Sequence, residues 1–268
     1  TVSAEDYARH IKPGTRVATI IHTSPVSGMG VDVAAIASAI RQVSPDCFII
    51  VDGIQHACHG SIDIASLGID GYAVSPYKMF SRHGYGVAWA SDRLTAAPRE
   101  RLSGGPQRAW EFGTRDTGAY ATFSDVVGYF DWLGSNFTES DDRRTRLEAA
   151  GKAIHAHEWK LCQAALHGAG NLRGLSEMPG ITVLGGIENP AREGLVSFVH
   201  EKLTAPEIVA ALNERGIRTH SRKNDHYSGN VLGPLGLETC VRVSFCHYNS
   251  EAEVSRLLAA MEEILANA

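Results

Sequence analysis

The sequence predicts an α/β protein, in which a mostly parallel sheet is covered by helices and followed by a smaller α+β domain. Short, nearly continuous apolar runs alternate with segments whose apolar residues recur at helical spacing, a pattern typical of parallel strands buried between helices. After residue 150 this regular alternation stops. We therefore predict a large domain over residues 1–150 and a smaller α+β domain over residues 151–268.

Four apolar runs indicate the strands of the large domain. They are residues 16–22 (RVATIIH), 47–51 (CFIIV), 71–75 (GYAVS) and 84–89 (GYGVAW). A helix is predicted between the first two runs, where Val33, Ile36 and Ile40 share one face and Pro45 ends the pattern. Further helical segments are residues 62–67, 116–133 and 144–166.

The smaller domain shows a different order of elements. Strands are predicted over residues 180–185, 194–200, 216–219 and 240–245. Helices are predicted over residues 205–215 and 250–266, the second with apolar residues at helical spacing.

Composition excludes several classes of function. The chain has 268 residues, of which 44% are hydrophobic and 21% charged, and its formal net charge is -5. The acidic balance gives no reason to expect a nucleic-acid partner, and no apolar run is long enough for a membrane span. The five cysteines form no CxxC pair and the twelve histidines no HExxH motif. We therefore expect a cytoplasmic protein without a metal site.

Two residues with a defined chemistry follow neighbouring predicted strands. Asp52 lies in the run VDGIQ and Lys78 in the run AVSPYKMF. In open α/β sheets, ligands bind at the carboxyl ends of the strands. A carboxylate can keep a pyridinium nitrogen protonated, and a lysine can form a Schiff base with the aldehyde of the same ring. Either residue alone would suit a capping Asp or a surface Lys, but together they point to pyridoxal 5'-phosphate (PLP).

The same runs resemble the class V aminotransferase and cysteine desulfurase-like family of fold-type I PLP enzymes. The similar stretches cover most of the chain and include VDGIQHACHG, SPYKMF, HGYGVAWASDRL, EFGTRDTGAY and CVRVSFCHYNSEAEVSRLL. The resemblance implies a fold-type I large domain, PLP as the cofactor and an α-amino acid as the substrate. It also implies a homodimer whose sites are shared between subunits.

The resemblance assigns roles to three residues of the large domain. Lys78 would be the Schiff-base lysine and would then move the proton on the substrate Cα. Asp52 would pair with the pyridinium nitrogen of the cofactor. Gln55 would donate a hydrogen bond to the phenolic oxygen of the cofactor.

Three further residues would bind the phosphate. Ser75 and Tyr77 precede the lysine, and Tyr77 stands where the family usually has a histidine. Thr114 would reach the phosphate bound in the neighbouring subunit. Ser75 is equally suited to capping the following turn, and Thr114 to capping the helix predicted from residue 116.

The resemblance also implies the substrate contacts. Arg242 would grip the α-carboxylate, since a guanidinium binds a carboxylate through two parallel hydrogen bonds; on an alternating strand it could instead face solvent. Ser24 would bind the cofactor, supplying a polar contact where Pro25 replaces an asparagine that in the family often touches the cofactor or substrate. Arg222, in a basic loop, would contact the substrate or lie in a solvated turn.

The chain departs from cysteine desulfurases at the loop 219–228 (THSRKNDHYS). Those enzymes carry a nucleophilic cysteine there, and this loop has none. A persulfide mechanism is therefore disfavoured. Transamination and β-elimination (C–S lyase chemistry) remain open, and epimerisation is less favoured because no second base is evident.

The resemblance further suggests that an N-terminal part of the large domain is missing. The sequence starts at Thr1 without an initiator methionine. In the family, the phosphate-binding turn and the residue that stacks on the pyridine ring precede this point. The alternative is therefore a non-catalytic or split fragment that needs a complementary N-terminal chain.

Overall fold

The computed structural model describes residues 2–100, 102–105, 110, 114 and 116–267. The chain divides into two compact units, and the division falls within the long helix α5 (Arg143–His167). The N-terminal unit contains Val2–His22 and Val31–Lys152. The segment Thr23–Gly30, inside the range predicted for the large domain, belongs to the C-terminal unit with the residues from Ala153 onward.

The N-terminal unit is built on a four-stranded sheet with the strand order β1-β2-β3-β4. Strands β1, β2 and β3 run parallel, and β4 is antiparallel to β3. The predicted mostly parallel sheet is therefore confirmed. The strands are β1 (Val17–Ile21), β2 (Phe48–Asp52), β3 (Gly71–Val74) and β4 (Val87–Ala90).

Helices of the N-terminal unit connect and flank these strands. Asp32 begins α2, because its Oδ1 accepts a hydrogen bond from the backbone N–H of Ala35 at 2.9 Å. Short 3-10 turns cover residues 56–58, 64–66 and 76–79. The α-helices are α1 (Ala4–His10), α2 (Val33–Val43), α3 (Asp92–Thr95), α4 (Thr117–Gly134) and the first part of α5.

The core of this unit lies between α2 and the sheet. Ile36 and Ile40 on α2 pack in one cluster with Ile20, Ile49 and Val51 from β1 and β2, and all five are at most 1% exposed. Burying each such side chain contributes about 1.5–3 kcal/mol. Since side chains alternate along β2, Val51 is buried and the next residue emerges at the strand end.

The C-terminal unit carries an antiparallel four-stranded sheet with the order β7-β8-β10-β9. Its apolar face packs in one cluster with residues of α6 and α8. A two-stranded pair, β5 (Gly168–Ala169) and β6 (Leu172–Arg173), lies apart from this sheet. The remaining elements are β7 (Ile181–Val183), β8 (Leu195–His200), α6 (Ala205–Glu214), β9 (His220–Lys223), α7 (Gly229–Leu232), β10 (Thr239–Ser244) and α8 (Glu251–Ala266).

One predicted strand is displaced in the structure. Residues 216–219 do not form it, and β9 begins at His220. Gly216 adopts a left-handed conformation with φ +70°, and the backbone N–H of Ile217 donates to the carbonyl of Leu212 at 2.9 Å. These residues therefore end helix α6, a use of glycine that the apolar pattern did not reveal.

None of the described helices combines the length and the apolar character needed to cross a membrane.

Candidate active site

A hydrogen-bonded chain of three side chains joins the turns that follow β2 and β3. Lys78 Nζ donates to Gln55 Oε1 at 3.1 Å. Gln55 Nε2 lies 3.0 Å from His59 Nε2. Gln55 and His59 are buried and Lys78 is half-buried. Because both ends of the amide are engaged, Gln55 has a defined orientation and holds the lysine amine in one position.

The local backbone explains how Lys78 is presented. Pro76 starts a 3-10 turn that runs to Met79, and the N–H of Lys78 donates to the carbonyl of Ser75 at 3.1 Å. Phe80 ends the turn with φ 69°, in the left-handed region that non-glycine residues rarely occupy. Such a conformation costs on the order of 1–3 kcal/mol and is maintained only where the surrounding structure enforces it.

Asp52 lies at the end of β2 and is exposed. Its Oδ1 accepts a hydrogen bond from the N–H of Ile54 at 3.0 Å, and a carboxylate has a second oxygen for another donor. The register pairs Asp52 with Ala73 on β3, so the Asp52 and Lys78 segments leave the sheet at the same edge. A carboxylate, an amide and a primary amine at one edge form a donor set that suits a pyridinium ring carrying an aldehyde.

Two further histidines lie at this edge of the sheet. The rings of His22 and His56 stack with centroids 3.7 Å apart, and His22 Nδ1 lies 2.9 Å from the hydroxyl of Tyr72. His56 Nε2 lies 3.1 Å from the carbonyl of Ser61. Sequence reasoning assigned no role to this pair. One sequence feature could have pointed to this pair. His22 directly follows β1, just as Asp52 stands at the end of β2.

The predicted phosphate ligands differ in their surroundings. Ser75 is half-buried, and its side chain does not cap the following turn. Tyr77 is exposed, and its ring stacks on His83 at 4.4 Å. Thr114 is exposed in a bend. The cap of α4 is Asp116, whose Oδ1 accepts from Ala119 N at 3.0 Å, so the capping alternative for Thr114 is wrong.

Ser24, Arg222 and Arg242 belong to the C-terminal unit. Ser24 Oγ accepts hydrogen bonds from the N–H groups of Val26 at 3.3 Å and Ser27 at 3.2 Å, so this side chain caps a turn. One guanidinium nitrogen of Arg242 donates to the carbonyl of Pro25 in the same turn at 2.9 Å.

Arg192 fastens this turn to β8, a role that sequence reasoning missed. Its side chain is 1% exposed and donates to the carbonyls of Ser27 at 3.1 Å and Leu195 at 3.2 Å. It also donates to the carbonyl of Leu184 at 2.9 Å. Burial lowers the pKa of Arg192. Its two terminal nitrogens are anchored by these carbonyls, whereas its Nε is buried without a hydrogen-bond partner among the described residues.

Arg242 is half-buried on β10, opposite His220 on β9 and Ser197 on β8. Burial lowers the pKa of Arg242, and the neighbouring positive charge of Arg222 lowers it further. Within the described part of the chain, Arg242 Nε is buried without a hydrogen-bond partner. A guanidinium with an unused buried donor is suited to binding an anion such as a carboxylate.

Within the described ranges, no three His, Cys, Asp or Glu side chains lie together so that they could hold a metal ion.

Comparison with known proteins identifies relatives over nearly the whole chain. Residues 1–134 and 145–257 match the profile of the family described as "Aminotransferase class-V". A probable cysteine desulfurase of Pseudomonas putida is 30% identical over 259 residues, which cover 94% of this chain and 59% of that protein. The aminotransferase-like protein FGM3 of Gibberella zeae is 29% identical over 260 residues, which cover 94% of this chain and 60% of that protein.

Solved structures share the fold. The apo structure of a cysteine desulfurase from Thermococcus onnurineus NA1 superposes with a TM-score of 0.79 at 22% identity, over 100% of this chain and 64% of that one. The cysteine desulfurase CsdA of Escherichia coli gives a TM-score of 0.74 at 21% identity, over 98% of this chain and 62% of that one. The predicted α/β fold is thereby confirmed. The chain spans less than two thirds of the length of these relatives.

Proposed function

Because this chain belongs to the class V aminotransferase family, we propose that it forms a PLP-dependent enzyme that acts on an α-amino acid by transamination or by β-elimination. Class V aminotransferases and cysteine desulfurases use PLP, the cofactor predicted from Asp52 and Lys78. The observation that carries the proposal is the Lys78–Gln55–His59 chain at the same sheet edge as the Asp52 carboxylate.

Lys78 is the residue proposed to hold the cofactor and to move the Cα proton of the substrate. When bound, PLP draws electrons from the substrate Cα and so makes that proton removable. The half-buried amine of Lys78 has its position set by Gln55. Asp52 would keep the ring nitrogen protonated through its carboxylate. A base must lie within hydrogen-bond reach of the proton it takes, which is why the position of the amine matters.

The remaining predicted residues are proposed as binding groups. Arg242 would bind the substrate α-carboxylate, a role supported by its buried Nε without a hydrogen-bond partner in the described residues. Ser75 and Tyr77 would donate to the cofactor phosphate. Thr114 is exposed, as required of a residue that reaches the site of another subunit in a homodimer. Ser24 holds the turn that contacts Arg242.

The residues of this chain favour transamination or β-elimination over sulfur transfer, although several relatives are named cysteine desulfurases. Sulfur transfer needs an accessible nucleophilic thiolate. Residues 219–228 contain no cysteine. They were predicted as a loop, but His220–Lys223 form β9, so Arg222 lies half-buried on a strand and not in a solvated turn. Four of the five cysteines are buried, and the fifth, Cys246, is half-buried two residues after the end of β10. None of the five, all of which lie in the described part of the chain, is in a disulfide, and a cytoplasmic location remains part of the proposal.

A visible absorption spectrum of the purified chain with added PLP, before and after borohydride reduction, tests the proposal. We expect a visible absorption band from the lysine-bound cofactor that borohydride removes, with the cofactor then fixed on the peptide that contains Lys78. A panel of amino acids is then assayed for keto-acid product with amino transfer, or for pyruvate with ammonia. A chain that binds no PLP alone, but does so with an added N-terminal chain, would support the split-enzyme alternative instead.

A further inference from the structure

A cleft of about 720 Å³ opens beside Arg242 in the C-terminal unit. Its lining includes two arginines and a histidine, and none of the described residues that line it is acidic. The lining residues are Asn213, Gly216, Arg218, Thr219, His220, Arg242 and Ser244.

Strand register concentrates basic side chains on one face of the sheet. On the antiparallel strands β9 and β10, His220 pairs with Arg242 and Arg222 pairs with Cys240. Directly paired residues share a face, and so do residues two apart along a strand. His220, Arg222 and Arg242 therefore project from the same face, while Lys223 projects from the opposite one.

The basic groups on this face lower one another's pKa values, as groups of like charge do. Burial lowers the pKa of His220, and the charges of Arg242 and Arg222 lower it further. The pKa of Arg242 is lowered mainly by burial and further by the charge of Arg222. Among the described residues, the Nε atoms of Arg222 and Arg242 are both buried without hydrogen-bond partners. Like charges placed together with unused buried donors are destabilising unless a negative group compensates them.

One α-carboxylate does not account for this arrangement, since a single guanidinium binds a carboxylate through two hydrogen bonds. We propose, resting on the proposed role of Arg242, that the cleft lined by Arg218 and His220 binds a second carboxylate of the same substrate. Arg222, on the same sheet face as His220, adds positive charge beside it. The enzyme then selects dicarboxylic α-amino acids over neutral ones.

Binding of succinate and butyrate to the chain without PLP tests this inference by calorimetry. The two ligands have four carbons each and differ by one carboxylate. We expect succinate to bind at least about tenfold more tightly. His220→Gln and Arg222→Gln should each remove most of that preference. Lys223→Gln is the matched control, because it removes a charge from the opposite face of the same strand and should leave the preference unchanged.

Equal affinities for succinate and butyrate in the unaltered chain would overturn the inference without any variant. If Lys223→Gln and Arg222→Gln lost the preference for succinate equally, the inference would also be overturned, because net charge alone would then explain the effect. Circular dichroism checks that each variant is folded. Because the assay uses no PLP, a chain that prefers succinate but never binds PLP would refute the proposed function and leave the dicarboxylate site standing.

With PLP bound, the inference has a kinetic counterpart. The ratio of kcat/KM for aspartate over alanine should fall about tenfold in His220→Gln. The ratio is the readout, because a general loss of activity would lower kcat/KM for both amino acids by the same factor. A fall of equal size for both amino acids would contradict a role in side-chain selection.

Discussion

Lys78 donates a hydrogen bond to Gln55, with 3.1 Å between Nζ and Oε1, although the two residues follow different strands of the sheet. Gln55 in turn contacts His59 at 3.0 Å. The amine proposed to hold the cofactor is thus positioned by a buried amide from the neighbouring turn. This relationship makes the role of each residue separately testable.

Replacing Lys78 by alanine should abolish fixation of PLP by borohydride and lower turnover by roughly 10²–10⁴-fold or more, because the base is lost. Peptide mapping after reduction measures the first effect and steady-state kinetics the second. Lys78→Arg is the control, since it keeps a positive charge near Gln55 but cannot form the covalent link. Borohydride-fixed PLP in either variant would rule out Lys78 as the attachment site.

Replacing Gln55 by alanine should lower the free energy of unfolding by about 1–3 kcal/mol, because two hydrogen bonds of a buried amide are lost. Urea unfolding monitored by circular dichroism provides the measurement. Gln55→Glu should lower the free energy of unfolding less than Gln55→Ala does. Its carboxylate still accepts the hydrogen bond from the Lys78 amine, although it cannot donate one to His59. An unchanged unfolding free energy for Gln55→Ala would show that the hydrogen-bonded chain contributes nothing to stability.

Replacing Gly53 by alanine should destabilise the N-terminal unit. A Cβ at Gly53 would overlap ring atoms of the buried Tyr72, so the backbone or the ring must move, at a cost of about 1–3 kcal/mol. Gly128→Ala on α4 is the matched control. No atom lies within 4 Å of a Cβ there, and alanine should stabilise the helix by roughly 0.5–1 kcal/mol. Thermal unfolding of both variants measures the contrast. Equal shifts of Tm in the two variants would contradict the close packing at Gly53.

The stability of the protein should fall as the pH is lowered through the ordinary histidine range, partly because of His220. Burial and the nearby arginines hold the pKa of His220 below its usual value. Just below that usual value the unfolded chain binds more protons than the folded one, so acidification favours unfolding. His220→Gln should reduce this slope when unfolding is measured at pH 7.5 and at about pH 5.5. A steeper slope in the variant would mean that the folded state favours the protonated imidazole.

Thiol reactivity should distinguish the proposed chemistry from sulfur transfer. Burial raises the pKa of Cys162 to about 12, and Cys47, Cys58 and Cys240 are also buried. Iodoacetamide should therefore modify only Cys246 in the folded protein, as mass spectrometry can show. Incubation with cysteine and PLP should leave no persulfide on the chain. A persulfide that disappears in Cys246→Ser would restore the desulfurase mechanism.

Much of the architecture could be predicted from local patterns. The apolar run CFIIV and the spacing of Val33, Ile36 and Ile40 predicted β2 and α2, because the side-chain periods of strands and helices are properties of short segments. Asp52 and Lys78 stood out for the same reason, since each follows an apolar run and so reaches the edge of a parallel sheet.

Contacts between distant segments depended on the folded structure. Gln55 and Lys78 meet because two turns close at one sheet edge, and His22 meets His56 for the same reason. The pairing of His220 with Arg242 requires the register of β9 against β10, and a shift by one residue would send every β9 side chain to the other face. Periodicity is set within each segment, whereas strand register is set by packing across the whole unit. The residues that carry chemistry could therefore be found in the sequence, but their partners could be found only in the folded structure.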